Sequence, residues 1–467
     1  MGEFFGETAN VKARHNVRFQ RVPYESPASL FLKLAPEYEH AFLLESRTGL
    51  GNTALYSYVG FDPAATIRIK DGIATVDERE ERVEDPLDVV RRLISHKRHA
   101  QHRYAFLGGA VGYVSYDAVR YWERLPQLAR DELDFPDLEM GIYDDGVVLD
   151  HLRHEAWYFS IGRSRHDELC STLRRPCEHD DFSMGPIRLN VGTAEYGSMV
   201  DSVKHHIAVG DVFQAVLSKR YSFAFSGDLT SVYLTLRTMN PSPYMFYLKM
   251  HDRAILGTSP ETLVKVVDKK IESYPIAGSR PATDDADHDA ALADELLADP
   301  KERAEHIMLV DLARNDVGRV AKAGSVHVPV LMEVQRYSHV QHIVSLVEGE
   351  LRDDADCFDV LRAAFPAGTV SGAPKVRAME IIEALEPVRR GPYAGAVGYF
   401  SYNGDTDFAI TIRALFAQGG TCHLQTGGGI VADSVSENEW IETELKAKAL
   451  VKALEARGGD ADERARY

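Results

Sequence analysis

The stretch GAVGYVSY at residues 109–116 returns near the end of the chain as GAVGYFSY at residues 395–402, with seven of eight positions identical. Short runs of valine and aromatic residues between glycines are typical of strands. We therefore interpret the two copies as related strands, one in each half of the chain, and expect them to face each other. One repeated element does not indicate a solenoid, which needs several stacked units.

Outward from this repeat, short strand-like runs alternate with helical patterns. Strands are predicted at Ala54 to Gly60, Tyr104 to Ser115, Gly146 to Leu149, Trp157 to Ile161, Arg220 to Ala224, Tyr244 to Lys249, Ala254 to Thr258 and Thr421 to Leu424. Helices are predicted at Pro86 to His96, Tyr196 to Val209, Asp289 to Ala298, Pro300 to Asp316, Cys357 to Ala364, Lys375 to Leu385 and Glu437 to Arg457. The strands are too many and too close together for a doubly wound parallel sheet, so we predict an α+β fold with large, mostly antiparallel sheets.

Composition sets the class of protein. The chain has 467 residues, of which 53 are basic and 71 acidic, and its net charge of −18 argues against a nucleic-acid partner. No apolar run approaches the roughly 20 residues of a membrane span, and four scattered cysteines suggest reduced thiols rather than disulfides. We expect a cytoplasmic protein without membrane contact. The polar break near residues 179–185 predicts two domains, 1–183 and 184–467.

Two helices each carry a Glu-x-x-Glu pair, Glu302 with Glu305 and Glu439 with Glu442. The spacing places both carboxylates of a pair on one helix face. If the two faces meet, their oxygens suit Mg²⁺, which keeps waters and shares a substrate anion. The alternative for each pair alone is a solvated helix face.

Other candidates lie in loops and strands. The glycine triplet in 425–430 exposes backbone N–H groups that can cradle an anion, and the Pro366 to Lys375 stretch indicates a shaped loop with hydroxyl donors. His342 lies in a strand-like run and is either a packed side chain or a proton shuttle. Arg413 lies in an apolar strand, where it needs a carboxylate partner from the protein or from a ligand.

At these motifs the sequence resembles the chorismate-utilising enzymes, and among them the large subunits of anthranilate synthases. The resemblance covers nearly the whole chain and is strongest after about residue 195. It implies sheets packed as a sandwich with helices on the outside, an N-terminal effector-binding domain and a C-terminal catalytic domain. The matching stretches are 210–218, 257–261, 275–281, 301–316, 366–378, 393–399 and 427–446.

Single positions separate the enzymes that share this scaffold. Gln214 stands where isochorismate and salicylate synthases have a lysine that activates water, and Ala277 stands where aminodeoxychorismate synthases have a lysine nucleophile. The resemblance therefore implies direct attack by ammonia on chorismate, giving anthranilate and pyruvate in the first committed step of tryptophan biosynthesis. Aminodeoxychorismate synthase is the first alternative and isochorismate or salicylate synthase the second. A phosphohydrolase that uses the same carboxylates and a regulatory subunit without activity are more distant alternatives.

The resemblance also implies a role for each matching residue. Glu305 and Glu442 would bind Mg²⁺, with Glu302 and Glu439 completing its shell through water. Substrate-binding positions would be Ala277, Gly278, Ser279, Tyr393, Arg413, Gly427, Gly428 and Gly429. Catalytic positions would be the general acid Glu261, the proton-transfer group His342, and Thr369, Gln214 and Lys446.

Two partners are implied in the same way. A separate glutamine amidotransferase subunit would supply ammonia, since the sequence has no cysteine in a nucleophile-elbow context. Tryptophan would act as a feedback inhibitor at Glu45, Ser46, Pro243, Tyr244, Met245 and Tyr399.

Overall fold

The computed structural model describes residues 16–46, 55–95, 102–175, 181–283, 285–336 and 340–458. The first half contains a 3-10 helix at Tyr116–Tyr121 and the elements β1 (Arg18–Val22), α1 (Pro27–Leu34), β2 (His40–Glu45), β3 (Tyr56–Phe61), β4 (Ala65–Lys70), β5 (Ile73–Val76), β6 (Arg79–Arg82), α2 (Pro86–Ile94), β7 (Gly109–Val114), β8 (Leu138–Tyr143), β9 (Asp145–Asp150), β10 (Glu155–Ser160) and α3 (His166–Thr172).

The second half begins with β11 (Ser183–Met184), β12 (Arg188–Leu189), α4 (Thr193–Ala208), β13 (Gln214–Ser226), α5 (Thr230–Met239), β14 (Tyr244–Met250), β15 (Arg253–Ser259), β16 (Thr262–Val267), β17 (Lys270–Ser273) and β18 (Ile276–Pro281). It continues with α6 (Ala286–Ala298), α7 (Pro300–Gly318), β19 (His327–Arg336), β20 (Val340–Glu350), α8 (Cys357–Ala364), α9 (Gly368–Ser371), β21 (Gly372–Ala373), α10 (Lys375–Leu385), β22 (Ala396–Ser401), β23 (Thr406–Ile410), β24 (Ala414–Gln418), β25 (Thr421–Ile430) and α11 (Ser436–Gly458).

These strands form two large antiparallel sheets. The first runs β1-β10-β9-β3-β2-β14-β15-β24-β25-β13-β11, with β12 and β21 also paired to β13. The second runs β18-β20-β17-β16-β23-β22-β7-β8-β4-β5-β6, with β19 paired to β20. Each sheet takes strands from both sides of the boundary predicted between residues 183 and 184, which falls within β11. Residues 179 and 180 of the predicted polar break lie outside the described residues.

The repeat from which the sequence analysis started lies at the centre of the second sheet. Its copies form β7 and β22, which are hydrogen-bonded neighbours with Gly112 opposite Gly398, so the prediction that the copies face each other is confirmed. These glycines also occupy equivalent positions in the repeat, and a pseudo-two-fold axis therefore passes between them. A Cβ atom on Gly112 would overlap the carbonyl of Glu139, and one on Gly398 the carbonyl of Asp407, so no side chain fits at the axis.

The first sheet follows the same symmetry. Its central neighbours are β2 and β14, and outward from them β3, β9, β10 and β1 correspond to β15, β24, β25 and β13. Gly60 lies opposite Phe42, and Gly257 lies opposite Phe246. In both pairs a Cβ atom on the glycine would overlap the phenylalanine ring. The two halves are therefore built on one plan.

The second half contains elements that have no counterpart among the described residues of the first half. A turn of two residues joins β5 to β6, whereas 66 residues (274–339) that include β18, α6, α7 and β19 lie between the corresponding strands β17 and β20. The final helix α11 spans 23 residues, against 7 in its counterpart α3.

Helices cover the outer faces of the sandwich. The largest core lies between the sheets and continues to helices α2, α7 and α8. Between the sheets, the rings of Tyr58 and Tyr399 approach from opposite sides with centroids 6.1 Å apart. A second core lies between the first sheet and helices α1, α5 and α11, with Phe31, Leu236 and Leu450 among its members. Within the described residues, no helix is long and apolar enough to span a bilayer.

All seven predicted helices are present, each with ends within three residues of the prediction where the structure describes them; His96 lies outside the described residues. The apolar run at 104–115 is a strand only from Gly109, and Ala54 lies outside the described residues. Helices α1 and α5 were not predicted, because their short apolar patterns resemble buried strands.

Candidate active site

Helix α7 carries the first glutamate pair into the interior. The carboxylate of Asp299 caps it, since it accepts from the backbone N–H groups of Lys301 and Glu302 at 2.9 and 3.3 Å. Pro300 follows at the first helical position, where a missing N–H costs nothing. The break predicted between α6 and α7 is confirmed, and Glu305 lies one turn after Glu302 on the same face.

Glu305 faces the second glutamate pair. Burial raises the pKa of Glu305; a hydrogen bond from Gln214 Nε2 at 3.1 Å opposes this rise, and the charges of Glu302 and Glu442 add to it. Burial also raises the pKa of Glu439, and Glu442 adds to that rise. The two helix faces therefore approach each other closely enough for Glu305 of one pair and Glu442 of the other to repel.

The carboxylate set has the chemistry of a divalent-cation site. Arg280 donates to Glu302 at 3.3 Å and Lys446 donates to Glu442 at 2.7 Å, so each helix has one balanced charge. Among the described residues, no three acidic, histidine or cysteine side chains converge closely enough to hold a metal alone. Mg²⁺ usually takes one or two carboxylates and completes its shell with water and substrate oxygens. A cation between these mutually repelling groups would relieve their repulsion, so the residues fit Mg²⁺.

The glycine triplet belongs to a strand, not to the loop that the sequence predicted. β25 continues to Ile430 and pairs with β13 over this stretch, whereas its pairing with β24 stops at Leu424. Among the described strands, only β13 therefore borders residues 425–430. The backbone amides along the other edge are positioned to bind an anion.

Side chains from other elements explain why these positions are glycine. A Cβ atom on Gly429 would overlap Nε2 of Gln214, and one on Gly427 would lie 2.8 Å from the hydroxyl of Tyr393. Because glycine has no side chain, the Gln214 amide and the Tyr393 hydroxyl can reach this edge of the sheet. Gln214 and Tyr393 therefore lie beside the glycines with which the resemblance grouped them.

Glu261 follows the end of β15 and is only 9% exposed. Burial raises its pKa to about 7, although the Thr369 hydroxyl and the positive charges of Arg413 and Lys446 favour its ionised form. A carboxyl group with a pKa near neutrality is suited to donate a proton at physiological pH. The structure thus places Thr369, Arg413 and Lys446 around the predicted general acid.

His342 shares this pocket. Its Nδ1 lies 2.7 Å from the carbonyl oxygen of Gly278 and 3.1 Å from the Ser279 hydroxyl. Because a carbonyl can only accept, we assign the proton to Nδ1, which leaves Nε2 as the basic nitrogen. Burial lowers the pKa of His342 to about 4; the bond to Gly278 opposes this, and Arg413 and Lys446 lower it further. His342 is therefore neutral at pH 7 and able to accept a proton.

Arg413 lies at a break between strands, not inside the single strand that the sequence predicted. β23 ends at Ile410 and β24 begins at Ala414. Arg413 has a φ of 49°, which is unusual for a side chain of this size. Backbone outliers of this kind cluster at functional sites, and this one places the guanidinium near both Glu261 and His342.

The Thr369 loop, residues 365–374 with the short helix α9 inside it, is fixed to helix α7, which carries Glu302 and Glu305. Lys375 donates to Asp316 of α7 at 2.8 Å and to the carbonyl of Ala364 at 3.1 Å. A Cβ atom on Gly368 would overlap the side chain of Leu312, also on α7. Close packing therefore couples the position of Thr369 to that of Glu305.

The strand β18 completes one side of the pocket. Its register against β20 shifts between Ala277 and Arg280, and Gly278 adopts a φ of 69°. A Cβ atom on Gly278 would lie 3.0 Å from Oε2 of Glu302. This bulge brings Ala277, Gly278 and Ser279 between the glutamates and His342.

The residues predicted for the effector are divided between two faces of the first sheet. Glu45 accepts hydrogen bonds from Arg237 and Tyr233 of α5 at 2.7 and 2.8 Å. Met245 is its cross-strand partner and shares its face. Both therefore point outward, towards α5.

Tyr244 points to the opposite face, since side chains alternate along a strand. Its hydroxyl donates to Asp407 at 2.8 Å and accepts from Thr262 at 2.9 Å. Tyr399 lies between the sheets as well, in ring contact with Phe106. Ser46 follows Glu45 in the sequence, and Pro243 precedes Tyr244. Residues 47–54 lie outside the described residues.

Lys219 is a buried cation that the sequence analysis missed. Its ammonium lies 2.9 Å from the centroid of the Trp440 ring and pairs with Glu444. Burial lowers the pKa of Lys219, and the hydrogen bond to Glu444 opposes this. Trp440 lies between Glu439 and Glu442 on α11, so the contact fixes the turn that carries both. Its neighbours in 216–221 include Ser218 and Arg220, so no apolar pattern marked Lys219 as buried.

Comparison with known proteins agrees with this geometry. Residues 39–452 match the family model described as chorismate binding enzyme. Anthranilate synthase component 1 of Methanothermobacter marburgensis is 44% identical over 449 residues, which cover 95% of this chain and 96% of the relative. Aminodeoxychorismate synthase component 1 of Bacillus subtilis is 41% identical over 471 residues, which cover 93% and 96%.

A solved structure supports the same grouping. The crystal structure of anthranilate synthase component I from Streptococcus pneumoniae superposes with a TM-score of 0.79 at 36% sequence identity. The match covers 87% of this chain and 94% of that one. Two antiparallel sheets with helices outside are thus the architecture of this group of proteins.

Proposed function

This chain belongs to the chorismate binding enzyme family, and we propose that it converts chorismate and ammonia to anthranilate, pyruvate and water as the large subunit of an anthranilate synthase. One observation carries the proposal. A buried carboxyl group with a pKa near 7 and a neutral histidine lie near the same two cations, Arg413 and Lys446, and Lys446 also pairs with one of the four glutamates. That set provides a proton donor, a proton acceptor and charge for a substrate dianion.

Two positions favour anthranilate as the product. Ala277 is a methyl group at the position where a lysine would form a covalent intermediate, so ammonia must attack the ring directly. Gln214 uses its amide to hold Glu305 and cannot act as a base for water. Both substitutions disfavour the alternative nucleophiles.

Substrate binding divides between two ends of the pocket. Glu305 and Glu442 would hold Mg²⁺, with Glu302 and Glu439 acting through water, and the ion would supply positive charge for the ring carboxylate. At the other end, the guanidinium of Arg413, the hydroxyl of Tyr393 and the amides of 427–429 would bind the enolpyruvyl carboxylate. Lys446 connects the ends, since it donates to both Glu442 and the carbonyl of Gly427.

The proposed chemistry couples each bond change to a proton transfer. Ammonia forms a bond to C2, the two ring double bonds shift, and the C4 hydroxyl takes a proton from Glu261 and leaves as water; the ammonium formed at C2 returns a proton to Glu261. His342 then removes the C2 proton through Nε2, the C3–O bond breaks, and the enolpyruvyl group leaves as an enolate, which takes up a proton to give pyruvate. The ring becomes aromatic, which drives this last step.

The product from chorismate, Mg²⁺ and ammonium chloride at high pH tests the proposal. We expect fluorescent anthranilate together with pyruvate. Aminodeoxychorismate without anthranilate would reject the proposal and support the second candidate, aminodeoxychorismate synthase, which the 41% identical Bacillus relative favours.

Variants test the metal assignment. Glu305→Ala and Glu442→Ala should abolish Mg²⁺-dependent turnover while the protein remains folded. Asp311→Ala on α7 and Glu455→Ala on α11 are matched controls, because these acidic residues are exposed on the same helices. Turnover retained in the first pair would reject the metal assignment.

We also propose that a glutamine amidotransferase subunit supplies the ammonia; relatives named component 1 support a partner component. The isolated chain should use ammonium salts and not glutamine, and glutamine-dependent turnover should appear only with an amidotransferase subunit present. Glutamine use by the isolated chain would contradict this. A cytoplasmic location stays a prediction.

Tryptophan is the proposed feedback inhibitor. The aromatic group around Tyr399 between the sheets supports a site for an indole ring. Tyr399→Ala should weaken inhibition by tryptophan more than it changes uninhibited turnover. Equal inhibition of the variant and the wild type would remove Tyr399 from the site.

A further inference from the structure

A buried ion pair lies behind the substrate end of the pocket, and neither residue contacts the glutamates described above. The side chains of Arg390 and Glu386 are 1% and 4% exposed. They form a fork, with Nε and a terminal nitrogen of Arg390 donating to the two carboxylate oxygens at 2.9 and 2.7 Å. A fully buried pair of this kind seldom stabilises a protein more than apolar side chains of equal volume would. Its retention here therefore calls for a different explanation.

The remaining donors of Arg390 reach two separate segments. One terminal nitrogen donates to the carbonyl of Val370, the neighbour of Thr369, at 2.7 Å. The other donates to the carbonyl of Val216 on β13, also at 2.7 Å. Val216 pairs with Gly429, so one guanidinium spans the Thr369 loop and the strand that borders the glycines.

Glu386 extends the network along the same strand. One of its oxygens accepts both the backbone N–H and the hydroxyl of Ser218 at 2.8 Å. Ser218 is the cross-strand partner of Gly427. The pair thus fixes β13 at both ends of the glycine triplet.

Aromatic rings complete the cage around the cation. The guanidinium carbon lies 5.7 Å from the ring centroid of Tyr393 and 4.7 Å from that of Tyr116. Tyr393 is the residue whose hydroxyl lies over Gly427. Tyr116 ends the first copy of the repeat, and its backbone N–H donates to the carbonyl of Gly391 at 2.8 Å. The first half of the molecule thus supports the site through this contact.

We propose that Arg390, held by Glu386, is the positioning residue for the substrate-carboxylate end of the site, because its one guanidinium joins the Thr369 loop, Tyr393 and the strand beside the glycine edge. The inference rests on the proposed function, which assigns that end to the enolpyruvyl carboxylate. Lysine cannot replace it, since an ammonium lacks the planar fork that reaches several acceptors in fixed directions. The glutamates on α7 and α11 are held by other contacts and should not depend on it.

The test compares variants by chorismate affinity, from calorimetry with chorismate, and by the split between KM and kcat for chorismate consumption. Arg390→Lys should raise Kd and KM for chorismate at least tenfold and leave the Mg²⁺ concentration for half-activation within twofold. Arg253→Lys is the matched control. Arg253 forms an equally forked buried pair with Glu139, 7% exposed on both sides, and it begins the strand whose far end precedes Glu261.

The paired variant Arg390→Met with Glu386→Gln guards against misfolding, since it leaves no buried charge unpaired. A positioning role predicts a folded protein with weakened chorismate binding. Wild-type chorismate affinity in this variant, or equal kinetics in Arg390→Lys and Arg253→Lys, would overturn the proposal. Chorismate binding and consumption are measured whichever product forms, so a product other than anthranilate would reject the proposed function without deciding this inference.

Discussion

The two halves of the molecule share one plan, and only the second carries the candidate active site. The strand end Gly60-Phe61-Asp62-Pro63-Ala64 in the first half corresponds to Gly257-Thr258-Ser259-Pro260-Glu261 in the second. Equivalent glycines in these stretches contact equivalent phenylalanines. At the position of Glu261, the predicted general acid, the first half thus has Ala64.

The cationic position differs as well. Ile142 and Ile410 pair with equivalent residues of the repeat strands, and three residues later stand Asp145 and Arg413. Asp145 is bound by Arg165 at 2.6 and 2.9 Å. In the first half this location is therefore closed by an internal ion pair, whereas Arg413 in the second half faces the pocket.

The comparison indicates that the shared sandwich supplies the framework, whereas the additional elements of the second half carry most of the candidate site residues. The segment 274–339 brings Glu302, Glu305 and the bulge at Gly278, and the longer final helix brings Glu439 and Glu442. The first half has no counterpart of that segment among the described residues. Substitutions at equivalent positions can test this division.

The largest effect is expected at the general acid. Glu261→Gln should lower kcat about 10²- to 10⁴-fold, because the C4 hydroxyl would leave without protonation. The rate of chorismate consumption at saturating Mg²⁺ measures it. A loss of less than tenfold would contradict the assignment of Glu261 as the general acid, and with it the proposed functional difference between Glu261 and its counterpart Ala64.

The paired arginines should separate function from stability. Arg413→Ala should raise KM for chorismate about 10- to 100-fold, the cost of one charge-assisted contact. Arg165→Ala should leave KM unchanged and lower the melting temperature, because it leaves the buried Asp145 without its cation. Similar kinetic losses in both variants would contradict the assignment of chemistry to the second half.

The pH profile should reflect the second half only. With the rate divided by the concentration of unprotonated ammonia, kcat/KM should fall above about pH 7, because Glu261 loses the proton that it must donate. It should also fall as the pH approaches about 4, because His342 gains a proton and can no longer act as a base. Glu261→Gln should remove the fall on the alkaline side; if that fall persists, it belongs to another group.

The smallest effect on activity is expected at the symmetry axis. Gly112→Ala and Gly398→Ala each place a methyl group against a strand backbone, and each should lower the free energy of unfolding by about 1–3 kcal/mol. Urea unfolding of both variants measures the losses, and KM for chorismate serves as the control. Losses that differ by more than about 2 kcal/mol would show that the two sides of the axis are not equivalent.

Much of this site was predictable from local patterns. The Glu-x-x-Glu spacing identified both glutamate pairs, since a helix puts residues three apart on one face whatever surrounds it. The Asp299-Pro300 dipeptide fixed a helix start for the same local reason. The glycine triplet was noticed but assigned to a loop, because glycine is typical of turns and its neighbours across the sheet are not visible in the sequence.

Other features were out of reach of sequence reasoning. Arg390 and Lys219 are charged residues, of a kind that is usually exposed. Their burial is explained by the aromatic rings and carboxylates that contact them, several of which lie more than 100 residues away in the chain. The effector residues looked like one set in sequence. The alternation of a strand sends Glu45 and Tyr244 to opposite faces, which depends on the pairing of β2 with β14.

The sequence by itself determined seven of the helices, the types of the candidate reacting groups and the existence of a repeated strand, since these depend on spacing along a few turns of chain. Tertiary structure alone decided that the two copies of the repeat pair across an axis. It also decided that Glu305 and Glu442 approach each other, and that burial raises the pKa of Glu261 to about 7 while lowering that of His342 to about 4. Strand partners and desolvation depend on residues that lie far apart in the chain. The same is true of the difference between the first half, where Asp145 pairs with Arg165, and the second half, which carries the candidate active site.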